Sequence, residues 1–361
     1  MPTARWRAFR LPMRRRFEAA HGAMTERRGV ILELTDDDGR RGFGEASPIP
    51  SLGNGTVEDV LALLQTCGTV VPNDLDIRAP GVAALRCAID VATLDLEGQR
   101  ADRRIAELLI DGAPVASEVR VNAVIGEGTP EETAAWGLDA TAQGYRVLKT
   151  KVGSASLDED VRRITALRAA CPDAGIRLDA NGAWDEDTAL AAVRAFLPLS
   201  IELIEQPVAP GNVSGLARVH ASAIGAMWIA ADESVTDPAL LDRVLELRAA
   251  DLVVLKPMFL GGLRAAVEVA RRAAEHGIGA FATTTFDSSI GTAAALHLAC
   301  ALGGGLAHGL GTGEHLAADL IDDTLVARRG VFALPERTGL GIAPEDAAWH
   351  RVAEGDWIAA S

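Results

Sequence analysis

The sequence predicts an α/β fold in which a (β/α)8 barrel of the TIM type carries an additional α+β lobe. Three observations lead to this fold class. The chain has 361 residues, more than one hydrophobic core usually organises, so a second unit is expected. From about residue 119 onward a strand-and-helix unit repeats, whereas residues 1–118 follow a different pattern. Strands that alternate with helices in this way are typical of a parallel sheet.

Residues 1–118 combine strand and helix signals without a repeat. The segment 29–48 has strand-like runs on either side of a polar turn at 37–39, which is typical of a β-hairpin. Helical runs follow at 56–67 and 80–99. We therefore predict a separate α+β unit, called here the N-terminal lobe.

Eight short apolar runs rich in β-branched residues mark the strands of the repeat. The last seven begin every 24 to 30 residues, which is the length of a strand plus a returning helix. The strand candidates are 119–126, 145–153, 175–182, 201–208, 227–234, 251–257, 277–286 and 306–313.

Between these runs lie stretches rich in Ala, Leu and Arg with helical spacing. Pro130 at the start of one stretch and Gly277 after the end of another follow the usual punctuation of helices. The alternative is a doubly wound open sheet, but that fold gives no reason for eight units, and no G-x-G-x-x-G follows the first strand. The clearest helical stretches are 130–143, 157–170, 185–197 and 263–277.

The end of the chain does not continue the repeat. Residues 326–342 carry strand and turn signals without a helical pattern. From their position we expect them to pack back on the N-terminal lobe. The predicted division is therefore the lobe at 1–118, the barrel at 119–325 and a C-terminal segment at 326–361.

Composition and charge exclude several classes of protein. The chain is 48% apolar and 24% charged, which fits a compact fold and not a disordered chain. Its net charge of −15 argues against general affinity for nucleic acid or for an anionic membrane. No apolar run is long enough to span a bilayer, and the four cysteines show no C-x-x-C spacing. We expect a cytoplasmic enzyme or binding protein whose association into homo-oligomers is left open.

Charged residues end five successive strand candidates. In a barrel the catalytic groups lie at the carboxyl ends of the strands. Counted from the second lysine, the intervals between these residues are 28, 26, 27 and 24, so each charge falls at nearly the same level of its own unit. The residues are Lys149 and Lys151, then Asp179, Glu205, Asp232 and Lys256.

The three carboxylates predict a metal site. A single Asp after a strand often only caps the next helix or begins a turn. Three carboxylates on adjacent strands at one level would repel one another unless a cation joined them. Oxygen ligands without a neighbouring His or Cys cluster favour Mg²⁺, with Mn²⁺ as the alternative. Asp179, Glu205 and Asp232 are therefore the predicted ligands.

Lys149 and Lys151 lie two apart on a strand, so both face the barrel interior while Thr150 faces outward. Taken alone, such a pair could be a solvated strand end or a phosphate site. Close to each other and to a cation, partly desolvated ammonium groups are expected to have lowered pKa values, and one of them becomes available as a general base. Lys256 would approach from across the barrel. A metal and a base together suit removal of a proton next to a carboxylate, because the resulting enediolate is doubly charged.

Five motifs in this order resemble the muconate-lactonising subgroup of the enolase superfamily, in which a Lys base works with Mg²⁺. GFGEASPIP at 42–50 resembles that group's capping lobe, so the resemblance covers nearly the whole chain. It implies a modified barrel of (β/α)7β form beneath an α+β capping domain. The motifs are KTK at 149–151, LDANGAW at 178–184, IEQP at 204–207, ADES at 231–234 and VLKPMFLGGL at 254–263.

The resemblance assigns a role to each matching residue. Asp179, Glu205 and Asp232 would hold Mg²⁺. Lys151 would be the acid and base, and Lys149 would lower its pKa. Lys256 would be the second base of an epimerase or a cation that stabilises the enediolate in a lyase. Two further residues would orient the site from outside the ligand set; they are Asn181 and Glu233.

Within the subgroup, the sequence is most similar to the o-succinylbenzoate synthases of menaquinone biosynthesis, at TTTFDSSIG (283–291) and LKPMFLGG (255–262). The implied reaction is removal of the α-proton of a small anionic carboxylate substrate, followed by loss of water. Asp287 departs from the Glu that the family commonly has. Ser288 and Ser289 would hold a substrate carboxylate at a helix start, or only cap that helix. The predicted substrate contacts are Thr284, Asp287, Ser288, Gly311 and His21, the last in a loop that would close over the substrate or be merely structural.

Two kinds of enzymatic alternative share the scaffold, namely epimerisation or racemisation and cycloisomerisation. Dipeptide epimerases resemble one another in an Asp-x-Asp at the eighth strand that receives the substrate ammonium, and residues 311–313 here read Gly-Thr-Gly. N-acylamino-acid racemisation and muconate cycloisomerisation also remain open. A third alternative, a non-catalytic metal-binding barrel, would be expected to lack a ligand or base, and none is missing.

Overall fold

The computed structural model describes residues 2–19, 22–110, 112–303, 305–322 and 325–360. In the N-terminal lobe, three long strands precede three helices. The strands are β1 (Thr3–Ala19), β2 (Gly22–Thr35) and β3 (Arg41–Ala46), and the helices are α1 (Val57–Cys67), α2 (Val82–Ala101) and α3 (Ile105–Leu109).

The predicted hairpin at 29–48 is confirmed as β2 and β3, which pair in antiparallel orientation. Its turn is closed by two backbone hydrogen bonds between Asp36 and the residues that follow, and Gly39 has φ +79° there. A left-handed turn residue favours Gly, which has no Cβ to clash. The sequence prediction does not include β1, although its apolar residues alternate with arginines in RWR at 5–7 and FRL at 9–11.

Helix α2 packs closely on β3 because two glycines of the strand have no side chain. A Cβ on Gly44 would collide with the carbonyl oxygen of Ala88, and one on Gly42 with that of Ala92. Residues of β3 and α2, among them Phe43 and Leu85, belong to one buried hydrophobic core.

The second part of the chain alternates strands and helices as predicted. Polar caps begin several helices: Thr129 and Ser156 accept hydrogen bonds from the backbone three residues later, within capping boxes. The elements are β4 (Glu118–Arg120), β5 (Ala123–Ile125), α4 (Pro130–Ala142), β6 (Val147–Lys151), α5 (Leu157–Ala170), β7 (Gly175–Asp179), α6 (Glu186–Phe196), β8 (Leu203–Glu205), α7 (Val213–Ala223), β9 (Trp228–Ala231), α8 (Pro238–Leu247), β10 (Leu252–Leu255), α9 (Pro257–Leu260), α10 (Leu263–Glu275), β11 (Gly279–Ala282) and α11 (Ser289–Leu302).

Seven strands, β5 to β11, form one parallel sheet in sequence order. The prediction of a regular eighth strand at 306–313 is wrong. The chain there makes only isolated bridges, from His308 to Val121 and from Gly309 to Thr283, and then turns into a 3₁₀ helix at Gly311–His315. Glycines dominate this segment, and they are poor strand formers. The bridges join the two edges of the curled sheet, and the barrel has the (β/α)7β form.

After the barrel the chain returns to both earlier parts. The remaining elements are β12 (Val331–Ala333), α12 (Asp346–Val352) and β13 (Ala353–Ala359). Strand β12 pairs with β4, and β13 pairs with β1 to complete a four-stranded sheet of order β13-β1-β2-β3. The exact domain boundaries at 118 and 325 stay predictions.

Within the described residues, none of the helices combines the length and the apolar character needed to cross a membrane.

Candidate active site

A cavity of about 480 Å³ opens at the carboxyl ends of the barrel strands, between the barrel and the N-terminal lobe. We call it the barrel-end cavity. It brings together most of the residues singled out from the sequence, which come from β6 to β11 and the turns that follow them. Those residues are Lys149, Lys151, Asp179, Asn181, Glu205, Asp232, Glu233, Lys256 and Thr284.

Strand register places the charged groups side by side. Lys151 of β6 is level with Asp179 of β7, and Asp179 is level with Glu205 of β8. Asp232 follows β9 directly, and Lys256 follows β10. Adjacent parallel strands therefore present these side chains at one level, as the spacing of the repeat predicts.

The carboxylates are buried and paired with lysines. Asp179, Glu205 and Asp232 are 5%, 1% and 1% exposed. The Nζ atom of Lys149 lies 2.7 Å from Glu205 Oε1 and 2.8 Å from Asp179 Oδ2. On the other side, Lys256 Nζ lies 2.6 Å from Asp232 Oδ2. The two ammonium groups thus offset much of the negative charge that the strands bring together.

These ion pairs overturn one expectation. Burial by itself lowers the pKa of the Lys149 ammonium, but the attraction of Asp179 and Glu205 outweighs it, and the pKa is raised above its ordinary value. The same holds for Lys256, chiefly through Asp232. A lowered pKa for Lys149 is therefore wrong, because carboxylates and not a second ammonium are its nearest charged neighbours. Burial, reinforced by repulsion from Asp179, raises the pKa of Glu205 to about 8.

Three buried carboxylate oxygens at this site have no hydrogen-bond partner. They are Glu205 Oε2, Asp232 Oδ1 and Glu233 Oε2. Leaving such atoms buried and unpaired is costly, so their position points to a cation. Among the described residues, no group of three or more carboxylate, imidazole or thiolate side chains is arranged so that it could hold a metal ion directly. The lysines pair with the carboxylates instead, and the donor set of oxygens fits Mg²⁺.

Neighbouring polar side chains fix the carboxylates in place. The side-chain amide of Asn181 donates a hydrogen bond to Glu233 Oε1 at 3.1 Å. The backbone N–H of Asn181 donates one to Asp179 Oδ1 at 3.0 Å. Gln206, which the sequence analysis did not single out, accepts the N–H of Asp232 at 3.0 Å. It is fully buried and donates to the Ser234 hydroxyl. The sequence signal that could have identified Gln206 is its position directly after the predicted ligand Glu205, in the motif IEQP.

The predicted substrate contacts divide into two groups. Thr284 lines the barrel-end cavity, whereas Asp287 and Ser288 do not. Ser288 caps α11, and Glu45 of β3 accepts hydrogen bonds from the N–H groups of Ser288 at 3.2 Å and of Gly291 at 2.9 Å. Of the two roles expected for Ser288, the helix cap is confirmed and the binding of a substrate carboxylate is wrong, because Glu45 already occupies that helix start.

Asp287 serves the same buried contact between lobe and barrel. Its Oδ1 accepts the Thr285 hydroxyl at 3.0 Å and lies 4.0 Å from an Arg27 nitrogen. Burial, together with repulsion from Glu45, raises the pKa of Asp287 to about 6. Gly311 borders a neighbouring cavity instead. His21 lies outside the described residues.

The lobe supplies the opposite wall of the cavity. Met24 and the 3₁₀ helix Pro50–Leu52 line it, together with Ile49 and Val57. These side chains are mainly apolar. The lobe thus contributes lining residues from two segments of the chain, one at Met24 and one at 49–57.

Comparison with known proteins identifies the family. Residues 132–348 match the family described as enolase C-terminal domain-like. The match covers more than half of the chain, so the chain belongs to the enolase superfamily.

Three relatives span different reactions. The chain is 40% identical to the o-succinylbenzoate synthase of Thermobifida fusca over 224 residues, which cover 61% of this chain and 68% of the relative. It is 31% identical to the chloromuconate cycloisomerase of Cupriavidus pinatubonensis over 353 residues, covering 92% and 93%. The crystal structure of the dipeptide epimerase of Enterococcus faecalis V583, complexed with Mg and the dipeptide L-Leu-L-Tyr, superposes with a TM-score of 0.85 at 27% identity, covering 95% and 100%.

Proposed function

We propose that the chain is a Mg²⁺-dependent lyase that forms o-succinylbenzoate, a step of menaquinone biosynthesis, from a hydroxylated succinyl-cyclohexadiene carboxylate. The C–H bond next to the carboxylate breaks, and its electron pair enters the ring as a double bond. The ring hydroxyl leaves with a proton as water, and the ring becomes aromatic. Atoms and electrons balance without an oxidant.

The residues divide the work. Asp179, Glu205 and Asp232 would hold Mg²⁺, which supplies positive charge to the substrate carboxylate as the proton leaves. Asn181 and Glu233 keep this group in place through the hydrogen bond between them. The related E. faecalis structure contains Mg, which supports the choice of metal.

Lys151 would remove the α-proton and later deliver it to the departing hydroxyl. Lys256 reaches the site from the strand after Asp232 and keeps its charge, so it would stabilise the enediolate electrostatically. Lys149 would hold Asp179 and Glu205 at their present separation through its two short ion pairs.

The observation that carries the choice of substrate is the pairing of the carboxylates that line the cavity outside the metal group. The barrel wall presents hydroxyl groups: those of Thr284 and Thr312 lie 2.7 Å apart, and Thr283 also lines the cavity. Among the described lining residues outside the metal group, the carboxylates are Glu26 and Glu58, and each pairs with an arginine. None of these lining residues therefore offers an unpaired carboxylate to a substrate ammonium group. The apolar lobe wall suits a carbocyclic ring.

A dipeptide epimerase or an N-acylamino-acid racemase is the second candidate. Lys151 and Lys256 come from strands on different sides of the carboxylates, which is the arrangement that a two-base reaction needs. The resemblance to the E. faecalis dipeptide epimerase over 95% of the chain favours it as well.

A substrate panel separates these candidates. The cyclohexadiene substrate, N-succinylamino acids and dipeptides are each incubated in D₂O with and without Mg²⁺. We expect dehydration of the cyclohexadiene substrate to be fastest and to require the metal. Efficient epimerisation of dipeptides without dehydration would overturn the substrate assignment. If no substrate of the panel exchanges its α-proton with deuterium, the result would favour a non-catalytic metal-binding barrel.

The first test of mechanism is Lys151→Ala. Removing the only base proposed for the α-proton should lower turnover at least about 10²-fold, since positioned general acid–base catalysis contributes about 10² to 10⁴-fold. Mg²⁺ binding, measured by calorimetry, should change little because the ligands stay. A variant with full turnover would show that another group removes the proton.

A further inference from the structure

Arg27 is a buried arginine whose hydrogen bonds end on backbone carbonyls. It lies on β2 of the N-terminal lobe and is 3% exposed. Its guanidinium donates to the carbonyl oxygen of Pro48 at 2.6 Å and to that of Ser47. Its Nε donates to the carbonyl oxygen of Thr285 at 3.2 Å. One planar group thus joins two segments that are more than 200 residues apart in sequence.

Each of these segments continues into a wall of the barrel-end cavity. After Pro48 the chain enters Ile49 and the 3₁₀ helix Pro50–Leu52, which form the lobe wall. On the other side, Thr285 lies between Thr284 and Phe286 of the barrel wall. The guanidinium of Arg27 therefore links the lobe wall to the barrel wall, beside the hydrogen bonds that Glu45 makes to α11.

Two carboxylates near Arg27 partly offset the cost of burying its charge. Asp287 Oδ1 lies 4.0 Å from it, in the same connection between β11 and α11. Glu45, also buried, bonds the first turn of α11 through the N–H groups of Ser288 and Gly291. Charge and hydrogen bonds across this contact are mutually satisfied, which is what makes a buried ionic group tolerable.

The barrel wall needs this support because it holds a strained residue. Phe286 has φ +61°, a left-handed conformation in which the Cβ of a non-glycine residue comes too close to the backbone carbonyl that follows. Such strain persists only where the surroundings enforce it. Here the N–H of Phe286 is held by Thr312 Oγ1 at 2.9 Å, and the preceding carbonyl is held by Arg27.

We infer that Arg27 is a positioning residue that sets the distance between the lobe wall and the barrel wall of the substrate cavity. This inference rests on the proposed function for its kinetic consequence. The residues proposed for proton transfer and metal binding are carried by β6 to β10, and Arg27 makes none of its hydrogen bonds to them. Its loss should weaken substrate binding and leave the chemical step nearly intact.

Three variants test the inference. Arg27→Met removes the charge and every hydrogen bond of the guanidinium. Arg27→Lys keeps the charge, but a single ammonium group cannot span the Pro48 and Thr285 carbonyls in the geometry of a planar fork. Arg177→Met is the matched control, because Arg177 is also fully buried, bonds Ala307 O at 2.7 Å and Glu202, and does not line the cavity.

For Arg27→Met we expect KM to rise at least about tenfold while kcat changes less than about threefold, the pattern of lost uniform binding. Arg27→Lys should show most of the same rise. Arg177→Met should lower Tm without raising KM. An unchanged KM in Arg27→Met overturns the inference. A normal KM in Arg27→Lys also overturns it, because this result would indicate that the charge of residue 27 recognises the substrate directly.

Hydrogen exchange supplies a test that needs no substrate. In Arg27→Met, amides in peptides covering 49–53 and 284–291 should exchange faster, whereas the peptide covering 176–179 should not. Unchanged exchange in both wall peptides would refute the positioning role even if the proposed reaction is confirmed. Faster exchange in a protein inactive on every substrate of the panel would instead sustain the positioning role and refute the proposed function.

Discussion

Individual side chains decide the electrostatics of the site. The spacing of Lys151, Asp179 and Glu205 along the chain predicts that these residues lie at one level, because strand register in a barrel follows the repeat. The sequence does not show that Lys149 lies between two carboxylates, since side-chain direction and distance are tertiary properties. It also gives no indication of which carboxylate oxygens are left without partners.

Glu205→Gln should abolish the stabilisation of the protein by Mg²⁺. Glu205 Oε2 is buried and unpaired, and an amide in its place has neither the charge nor the second strong acceptor. We expect Mg²⁺ affinity to fall at least about 100-fold, a loss of about 2.7 kcal/mol in binding free energy. The shift of Tm with Mg²⁺ concentration measures this.

Asp287→Asn is the control for that experiment, because Asp287 is an equally buried carboxylate outside the cavity lining. Its Mg²⁺-dependent shift of Tm should match that of the unaltered protein. If Glu205→Gln keeps the full shift, Glu205 is not a ligand.

Strands and helices follow the prediction well where the pattern is regular. Strands β6 to β11 and helices α4, α5, α6 and α10 fall within the predicted ranges. The eighth strand is overpredicted, because short apolar runs among glycines do not reveal whether a neighbour will pair with them fully. At the start of α11 the predicted helix cap is confirmed, whereas the predicted substrate carboxylate is wrong for a related reason. A helix N-terminus attracts any carboxylate, and only the packing of β3 shows that Glu45 takes the position.

Gly44→Ala should strongly destabilise the protein. The added Cβ would collide with the Ala88 carbonyl oxygen, a backbone atom that cannot rotate away, so β3 and α2 would have to separate. Overpacking costs about 1 to 3 kcal/mol, and a backbone collision should reach at least the upper end of that range. Urea unfolding measures the loss.

Gly211→Ala is the matched control, since a Cβ there meets no atom within 4 Å. The control should change the free energy of unfolding by less than about 0.5 kcal/mol. Equal stability of the two variants would contradict the close packing of α2 on β3.

At the scale of the whole molecule, buried polar contacts join the N-terminal lobe, the barrel and the C-terminal segment. His297 on α11 accepts the N–H of Ala106 at 3.0 Å and lies 3.0 Å from the carbonyl oxygen of Leu340. The ring is neutral in this arrangement, with one nitrogen accepting and the other donating. Burial lowers the pKa of His297 to about 4.

This pKa predicts a loss of stability in mild acid. The unfolded chain takes up the proton near pH 6.5, whereas the folded protein resists it until about pH 4, so the unfolded state binds more protons in between. The free energy of unfolding should fall as pH decreases from about 6.5 to about 4, by up to about 3 kcal/mol from this residue. Urea unfolding at a series of pH values measures the slope.

His297→Gln supplies an acceptor and a donor without a titrating ring. The free energy of unfolding should therefore depend less steeply on pH between about 4 and 6.5, by an amount equal to the uptake of up to one proton. His350→Gln, at an exposed position, should leave the slope unchanged. An unaltered slope in His297→Gln would exclude His297 as a source of the acid sensitivity.

The sequence by itself determined the repeat, the class of barrel and the six charged residues at the strand ends, because strand period and unit length convert position along the chain directly into position around a barrel. Tertiary structure alone decided which helix start Glu45 takes and how Arg27 joins two distant segments. These features depend on contacts between residues up to about 250 positions apart, and no local pattern encodes such contacts.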